Sequence, residues 1–351
     1  MRIAITGSIA TDHLMTFPGR ITELLIPDRL HTLSLSFLVD SLETRRGGAA
    51  ANIAYGLGLL GLDPLLVGAV GGDFADYGIW LKEHGVDTSG VRVSARQPTA
   101  RFVCMTDQDS NQIASFHPGA MAEARDIDLR QLLTGDQDIG LVVVSPDDPE
   151  AMRLHTEQCR ELGVPFAADP SQQLARLTGA EVRELVHGAR WLFTNEYESA
   201  LLLERTGWCG QEVLGRVGAW VTTLGAGGVR IESADGRSTT VPTVPGVPVA
   251  DPTGVGDAFR AGFLAACGWG HSPAVAARLG CVLAAEALGG LGSQDYELTP
   301  RRLLTTLASA YDHRTAQGLV RDLRHVGRTR TTDARRGMAD ARRASAVATS
   351  S

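Results

Sequence analysis

The chain has 351 residues, of which 44% are hydrophobic and 21% are charged, and its formal net charge is −7. This length suits one large α/β domain or two smaller ones, and the acidic balance argues against general binding to nucleic acid or membranes. Lys82 is the only lysine, so a bound phosphate would be held by backbone N–H groups or arginine. Five scattered cysteines show no metal or disulfide spacing, and no apolar run is long enough to span a bilayer, which predicts a cytoplasmic protein.

A short apolar strand from Ile3 to Thr6 opens the chain and leads into a turn of small and polar residues. One glycine in that turn is too few for a dinucleotide-binding fingerprint. Asp12, just past the strand, is either an acceptor for substrate hydroxyls or a capping residue of the turn. Further on, the residues from Ser34 to Leu38 alternate as those of a half-exposed strand would.

The segment from Arg45 to Gly61 predicts a helix of small residues that begins after two glycines. Such a helix either packs tightly on a sheet or allows a ligand to approach closely. Asn52 falls in its early turns, and a polar side chain buried among alanines needs a partner. A strand from Pro64 to Val70 and a short helix around Trp80 follow.

Two β-type runs, Arg101 to Met105 and Gln112 to Phe116, flank a polar turn and predict a hairpin. Phe102 and Phe116 lie near its far ends. They either form an aromatic clamp for a ligand or pack against each other across the strands.

Strands and helices alternate regularly after residue 140, which predicts a parallel sheet with helices on both faces. The predicted strands are Leu141–Val144, Phe166–Ala168, Trp191–Thr194, Trp220–Thr223 and Val229–Glu232. The predicted helices are Pro149–Leu162, Ala180–Gly188, Glu196–Thr206, Ala258–Ala266, Ala274–Leu288 and a last one from Pro300 to about Arg314. Polar motifs follow several strands, at the sheet edge where ligands of such folds bind.

The stretch DPTGVGDAF, from Asp251 to Phe259, is a glycine-rich turn that leads into a helix N-terminus. The N–H groups of Gly254, Val255 and Gly256 can hold an anion there, helped by the positive end of the helix dipole. Asp257 lies in the same turn, where a carboxylate is useful if it takes a proton from a nucleophile that attacks the anion. This pattern is typical of phosphoryl transfer with Asp257 as general base.

Other polar residues at strand ends suggest a nucleotide and its metal. Asn195 and Glu198 share one face of a new helix turn, where Glu198 either orders Mg²⁺ through water or simply faces solvent. Thr223 and Gly225 would meet the nucleotide at the next strand end. Asp251 either binds a cation or caps the loop.

Beyond Gly318 the chain is mostly Arg, Ala, Ser and Thr. This composition predicts a basic and mostly disordered tail over residues 318–351.

DPTGVGDAF resembles the D-T-x-G-A-G-D signature of the PfkB, or ribokinase-like, family of carbohydrate kinases, and RRGGAAANIA resembles the family's N-terminal Gly-Gly…Asn signature. The spacing of Asn195 and Glu198 and the run TTLGAGG also match, so that the resemblance extends from residue 1 to about 316. Within the family, segments such as GSIATDHLM and FAADPSQQLARL are similar to the adenosine kinases of actinobacteria. One departure is Pro252, which lacks an N–H, so the anion hole must rely on later amides.

The resemblance implies a three-layer α/β/α sandwich with a mostly parallel sheet and a small β lid. Residues 1–10, 46–95 and 119–317 would form the large ATP- and substrate-binding domain, and residues 11–45 and 96–118 the lid. The lid of the actinobacterial enzymes also serves as a dimer surface, which predicts a homodimer.

The resemblance also assigns residues to the acceptor. The ribose hydroxyls would be held by Asp12, Gly48 and Asn52. Adenine would stack between Phe102 and Phe116. Further polar contacts would come from Ser8, Ser36, Gln172 and Gln173, with Arg176 near the phosphates.

On the donor side, the resemblance implies ATP with Mg²⁺, the metal being held through water by Glu198. The predicted ATP-binding residues are Asn195, Thr223, Gly225, Gly228, Gly254 and Gly256. Many family members use K⁺, which by position would be held by Asp251 and Thr253 with carbonyls near Ala287 and Gly292.

The implied activity is transfer of the ATP γ-phosphate to the 5′-hydroxyl of adenosine, giving AMP and ADP in purine salvage. The alternatives are a related kinase for ribose, inosine or guanosine, and a catalytically inactive nucleotide-binding protein. The Phe102/Phe116 pair favours a nucleoside, since a bare sugar does not need two rings. The intact Asp257 and glycine turn argue against an inactive protein.

Overall fold

The computed structural model describes residues 1–25, 32, 34–134 and 138–327. The strands of this part are β1 Arg2–Thr6, β2 Ala10–Thr16, β3 Ser41–Gly47, β4 Leu65–Val70, β5 Asp87–Val93, β6 Ala100–Thr106, β7 Gln112–His117, β8 Ile139–Val144, β9 Phe166–Ala168, β10 Trp191–Asn195, β11 Ala219–Thr223, β12 Val229–Glu232 and β13 Ser238–Val241. The helices are α1 Ala49–Leu59, α2 Ala75–Glu83, α3 Leu129–Leu133, α4 Pro149–Glu161, α5 Gly179–Val186, α6 Glu196–Thr206, α7 Gly210–Leu214, α8 Val255–Gly268, α9 Pro273–Leu288, α10 Pro300–Ala310 and α11 His313–Leu319.

Nine strands form the large sheet, in the order β13-β12-β11-β10-β9-β8-β1-β4-β5. All neighbours pair in parallel except at β12 and β13, which pair antiparallel. The central strands are apolar on both faces: Ile3 and Ile5 of β1 belong to one core cluster, and Ala4 belongs to the other. A sheet buried on both sides needs helices on both sides, and the predicted three-layer fold is confirmed.

The small sheet has the order β3-β2-β6-β7 and contains the predicted hairpin as β6 and β7. Asp12 of β2 is in register with Arg45 of β3 and with Phe102 of β6, which in turn is in register with Phe116 of β7. Directly opposed residues point to the same face of a sheet. The small sheet is called the lid from here on, and these four side chains form one row across it, called the lid row.

The strand predicted from Ser34 to Leu38 is wrong, because residues 34–39 are not in a strand. Phe37 packs edge-on against Phe17 instead, with ring centroids 5.2 Å apart. The strand that pairs with β2 is β3, whose polar sequence SLETRRG has no apolar alternation to reveal it.

The predicted start of the tail at residue 318 is too early. Helix α11 ends at Leu319 and a 3₁₀ turn follows at Asp322–His325. Leu319, Leu323 and Val326 are buried in the main core, because their spacing places them on one side of these turns. Residues 328–351 of the predicted tail lie outside the described residues. No helix in the described part of the chain combines the length and the apolar character needed to cross a bilayer.

Candidate active site

A cleft of about 640 Å³ lies between the lid and the carboxyl ends of the large sheet's strands. The predicted residues that line it are Ser8, Asp12, Gly48, Asn52, Phe102, Phe116, Gln172, Gln173, Arg176, Asn195, Glu198, Thr223, Thr253, Gly254, Gly256 and Asp257. Residues up to 249 positions apart in the sequence thus meet at one site. Their contacts define what the cleft can do.

The start of α8 has the geometry of an anion hole. Gly254 is the residue before the helix and has φ of +76°, and a Cβ there would lie 2.4 Å from the Cβ of Ser293, so that no other residue fits. The first N–H groups of a helix lack acceptors within the helix. Val255 donates a long bond of 3.4 Å to the carbonyl of Pro252, which makes Gly254 and Gly256 the better placed donors for an anion.

Asp257 is largely enclosed, with 16% of its side chain exposed. Its Oδ2 accepts a hydrogen bond of 2.9 Å from Nδ2 of Asn52, and its Oδ1 lies 3.9 Å from Nη1 of Arg260. Burial raises the pKa of Asp257, while the Arg260 charge and the Asn52 hydrogen bond oppose that rise. A carboxylate with a raised pKa is a better proton acceptor for a substrate hydroxyl.

Asn52 has the partner that a buried amide requires. Besides donating to Asp257, it accepts hydrogen bonds at Oδ1 from Oγ of Ser293 at 2.9 Å and from Nε2 of Gln294 at 3.0 Å. Its amide orientation is therefore fixed from both ends. Asn52 orients the carboxylate of Asp257, and its contact with ribose stays a prediction.

Arg260 was not predicted as a site residue, although it lines the cleft and follows Asp257 by three positions on α8. Its Nη2 donates to Oδ1 of Asp169 at 2.6 Å, and both side chains are buried. The i, i+3 spacing from the proposed base was the signal that could have identified it. Within the described residues, Nε of Arg260 and Oδ2 of Asp169 are buried and have no hydrogen-bond partner.

The lid contributes Asp12 and the two aromatic rings. Asp12 lies against Gly47, where a Cβ would approach Oδ2 to 2.7 Å. Burial raises the pKa of Asp12 to about 6, with the Arg45 charge lowering it and the Asp251 charge raising it. Phe102 and Phe116 are direct cross-strand neighbours that both line the cleft, and together they are here called the aromatic wall. Stacking of adenine between the two rings stays a prediction.

Five further residues predicted to contact the substrate have distinct positions. Oγ of Ser8 accepts from the N–H of Ala49 at 3.0 Å and so helps to begin α1 at the cleft. Gln173 is buried and donates to the carbonyl of Asp147 at 2.7 Å, whereas Gln172 and Arg176 are exposed at the mouth of the cleft. Ser36 is exposed outside the cleft lining, because its segment is not the lid strand that was predicted.

Asn195 and Glu198, predicted to lie on the nucleotide side, form a reciprocal capping box at the start of α6. Asn195 accepts at 2.8 Å from the N–H of Glu198, and Glu198 accepts at 2.8 Å from the N–H of Asn195. Thr223 ends β11 at the cleft. Gly225 and Gly228 follow it with φ of +53° and +89° but are not among the residues that line the cleft.

The residues of the cleft fit magnesium nucleotide. Glu198 faces the cleft, and one of its oxygens has only a weak contact of 3.3 Å from the hydroxyl of Ser171. Mg²⁺ commonly keeps several waters and needs one or two carboxylates beside the substrate phosphates. Among the described residues there is no group of three or more His, Cys, Asp or Glu that could hold a metal ion.

The residues predicted for K⁺ do not fit that ion. Oδ1 of Asp251 accepts from the N–H of Thr253 at 2.9 Å, and Oδ2 accepts from the N–H of Gly292 at 2.9 Å. Nη1 of Arg45 lies 3.1 Å from the same Oδ2. Asp251 thus shapes the turn, as the capping alternative predicted, and already has a cation as its partner.

Comparisons with known proteins agree with this geometry. The profile of the pfkB family carbohydrate kinases matches residues 12–300. The nucleoside kinase of Methanocaldococcus jannaschii is 28% identical over 298 residues, which cover 84% of this chain and 92% of that protein. The ATP-dependent ribose-1-phosphate kinase of Halopiger xanaduensis is 32% identical over 248 residues, which cover 68% of this chain and 78% of that protein.

Among solved structures, the nucleoside kinase of Burkholderia thailandensis in complex with inosine superposes with a TM-score of 0.77. The two chains are 37% identical, and the match covers 88% of this chain and 98% of the other. The relatives are thus named for nucleosides or ribose derivatives rather than for adenosine alone.

Proposed function

This chain belongs to the PfkB family of carbohydrate kinases, and from that premise we propose that it is a nucleoside kinase that phosphorylates the 5′-hydroxyl of adenosine with ATP. The products would be AMP and ADP, as in purine salvage in the cytoplasm. Phosphoryl transfer to an alcohol is the activity of the family. The choice of a nucleoside, and of adenosine, is the proposal.

The observation that carries the proposal is the lid row beside the base Asp257. Asp12 is a hydroxyl acceptor, and Phe102 and Phe116 continue the row away from it. Neighbouring strands lie about 4.8 Å apart, so a ribose bound at Asp12 would place its base against the aromatic wall. A bare sugar would leave that wall without a ligand.

The chemistry assigned to the chain's own residues follows from their contacts. Asp257, oriented by Asn52, would accept the 5′-hydroxyl proton as the oxygen attacks the γ-phosphorus. The N–H groups of Gly254 and Gly256 would stabilise the negative charge on the transferring group, each worth roughly 2.7–4 kcal/mol in comparable sites. Mg²⁺ bound with ATP, and ordered through water by Glu198, would neutralise phosphate charge.

Inosine is the second candidate acceptor. The Burkholderia thailandensis nucleoside kinase, 37% identical, was solved with inosine bound. Both nucleosides share the ribose and the purine ring that the lid row would contact, and they differ at position 6 of the base.

A panel of acceptors with ATP and Mg²⁺ tests the proposal. We expect kcat/KM for adenosine and inosine to exceed that for ribose and fructose, with guanosine and cytidine reporting the breadth of base recognition. 5′-Deoxyadenosine is the matched control, since it keeps every other contact but lacks the attacking oxygen. A kcat/KM for adenosine no higher than that for ribose would contradict a nucleoside kinase. A kcat/KM for inosine far above that for adenosine would favour the second candidate.

A further inference from the structure

We propose that the guanidinium of Arg45 takes the place of an activating monovalent cation in this chain. It holds Asp251 and the turn before α8 to the lid, so that phosphoryl transfer does not depend on K⁺. The inference rests on the proposed function, because the reaction it concerns is transfer of the γ-phosphate at the start of α8.

Both oxygens of the Asp251 carboxylate already have partners, and Oδ2 has two of them. The two oxygens accept from the N–H groups of Thr253 and Gly292, both at 2.9 Å, and Arg45 supplies the positive charge at 3.1 Å. K⁺ requires oxygen ligands, and Oδ2 of Asp251 is already shared by the N–H of Gly292 and the guanidinium of Arg45. A potassium ion at Oδ2 would also lie within a few ångströms of a guanidinium, where like charges repel.

The surroundings of Arg45 are built for its side chain. Gly292 has φ of +93°, and a Cβ there would lie 3.2 Å from Cδ of Arg45, so glycine leaves room for the arginine stem. Glu43, on the same face of β3, accepts from Nη2 at 2.7 Å and from Nε at 3.1 Å. The planar guanidinium is thus fixed between two carboxylates, with only 24% of the side chain exposed.

The position of this charge suits the reaction. Asp251 precedes Thr253 and Gly254, the residues that lead into the anion hole, so the orientation of these backbone groups depends on how Asp251 is held. Asp12 and Asp251 repel each other electrostatically, and Arg45 offsets both charges. One arginine therefore neutralises the acceptor side and the donor side of the cleft.

An arginine on the lid can do what a free ion cannot. Arg45 belongs to β3 of the lid, whereas Asp251 belongs to the large domain, and the ion pair joins the two. The position of the lid above the acceptor is thereby tied to the turn that holds the phosphoryl group. Arg45 is a positioning residue, since it acts through Asp251.

The experiment compares activity and thermal stability in KCl and in choline chloride at equal ionic strength. The variants are Arg45→Gln, Arg45→Lys and, as the matched control, Arg20→Gln, which removes another lid arginine that is paired with two acids. We expect wild-type kcat and Tm to be the same in the two salts. The kcat of Arg45→Gln in choline chloride should be about tenfold lower than that of wild type. This loss is smaller than the loss expected when a direct oxyanion donor is removed, because Arg45 acts only through Asp251. K⁺ or guanidinium ion should restore part of that loss, and Arg45→Lys should keep most of the activity.

Stability separates this inference from the proposed function. A cation that binds only the folded chain raises Tm, so Arg45→Gln should show a K⁺-specific rise in Tm that wild type and Arg20→Gln do not show, even if no acceptor is phosphorylated. K⁺-specific activation or stabilisation of the wild type would overturn the inference. An Arg45→Gln variant with the same kcat and Tm as wild type in both salts would also overturn the inference. If no protein phosphorylates any acceptor in either salt, the proposed function fails and the Tm comparison still decides the role of Arg45.

Discussion

Asp257 is held by residues that come from three separate parts of the chain. Asn52 of α1 donates a hydrogen bond to its carboxylate, and Arg260 lies beside it one turn later on α8. Ser293, which is 241 positions after Asn52 in the sequence, donates a hydrogen bond to Asn52. Arg260 is itself held by the buried carboxylate of Asp169. The pKa of Asp257, the proposed base, is therefore set partly by neighbouring side chains that need not touch the substrate.

Removing the Arg260 charge should shift the acid limb of the pH–rate profile. Burial raises the pKa of Asp257 and Arg260 opposes this rise. Because Asp257 must be deprotonated to accept a proton, activity is lost as the pH falls through its pKa. In Arg260→Met that pKa rises further, so the acid limb of kcat/KM should move to higher pH, whereas Arg260→Lys should stay close to wild type.

The measurement needs a partner variant because Arg260→Met leaves Asp169 buried without its counter-ion. Breaking a buried pair from one side costs about 3–5 kcal/mol, and the double variant Asp169→Asn/Arg260→Met avoids this. Asp169 also interacts with Asp257 electrostatically, so the double variant is compared with the single variant Asp169→Asn. An acid limb at the same or lower pH in the double variant than in Asp169→Asn would show that Arg260 does not tune the pKa of Asp257.

Helices α8 and α9 approach so closely that glycines are required at the contact. A Cβ on Gly262 of α8 would lie 2.8 Å from the carbonyl of Leu279, and a Cβ on Gly280 of α9 would lie 2.8 Å from the carbonyl of Phe259. These neighbours are backbone atoms, which cannot move aside cheaply. The packing of α9 thus positions α8, the helix that begins with the proposed anion hole.

Gly280→Ala should separate the two helices and lower both stability and activity. Overpacking of a close contact typically costs 1–3 kcal/mol, and urea unfolding would measure the loss. Gly318→Ala is the control, since a Cβ at that position in α11 meets nothing within 4 Å and alanine favours a helix. Equal stability of the two variants would contradict the proposed role of the contact.

The elements that could be predicted are those whose local pattern agrees with their final environment. Strands β8 to β11 are short apolar runs buried on both faces, and α8 follows a glycine turn. The sequence analysis did not predict strand β3, because its mostly polar residues show no alternation of apolar and polar side chains. It placed a lid strand at Ser34 to Leu38 instead, and so assigned Ser36 to the site. The pairing of Arg45 with Asp251 joins residues 206 positions apart, so that no local pattern could predict it.

At the scale of the whole molecule, the lid has a second face that points away from the cleft. Leu42, Met15, Met105 and Ile113 form a row across all four strands, in register with one another. They alternate with the lid row, so they lie on the opposite face. Leu42 is 61% exposed and Ile113 48% exposed, which makes this face a candidate for the predicted dimer contact.

We expect the protein to be a homodimer that the double variant Leu42→Glu/Ile113→Glu dissociates, because the added charges would face each other across the contact. Sedimentation velocity measures the change. Ile79→Glu is the control, since Ile79 is 56% exposed on α2 rather than on the lid. A monomeric wild type, or a dimer that survives the double variant, would contradict a dimer through this face.

The most direct test of the whole account is turnover of Asp257→Asn with ATP, Mg²⁺ and adenosine, with the product identified by ³¹P NMR. Wild type should form the 5′-monophosphate. The variant keeps the shape and the hydrogen bond to Asn52 but cannot accept a proton, so kcat should fall by ~10²–10⁴ while KM for ATP changes little. Unchanged kcat, or a phosphate at a ribose oxygen other than the 5′ position, would contradict the assignment of Asp257 as the base of a nucleoside 5′-kinase.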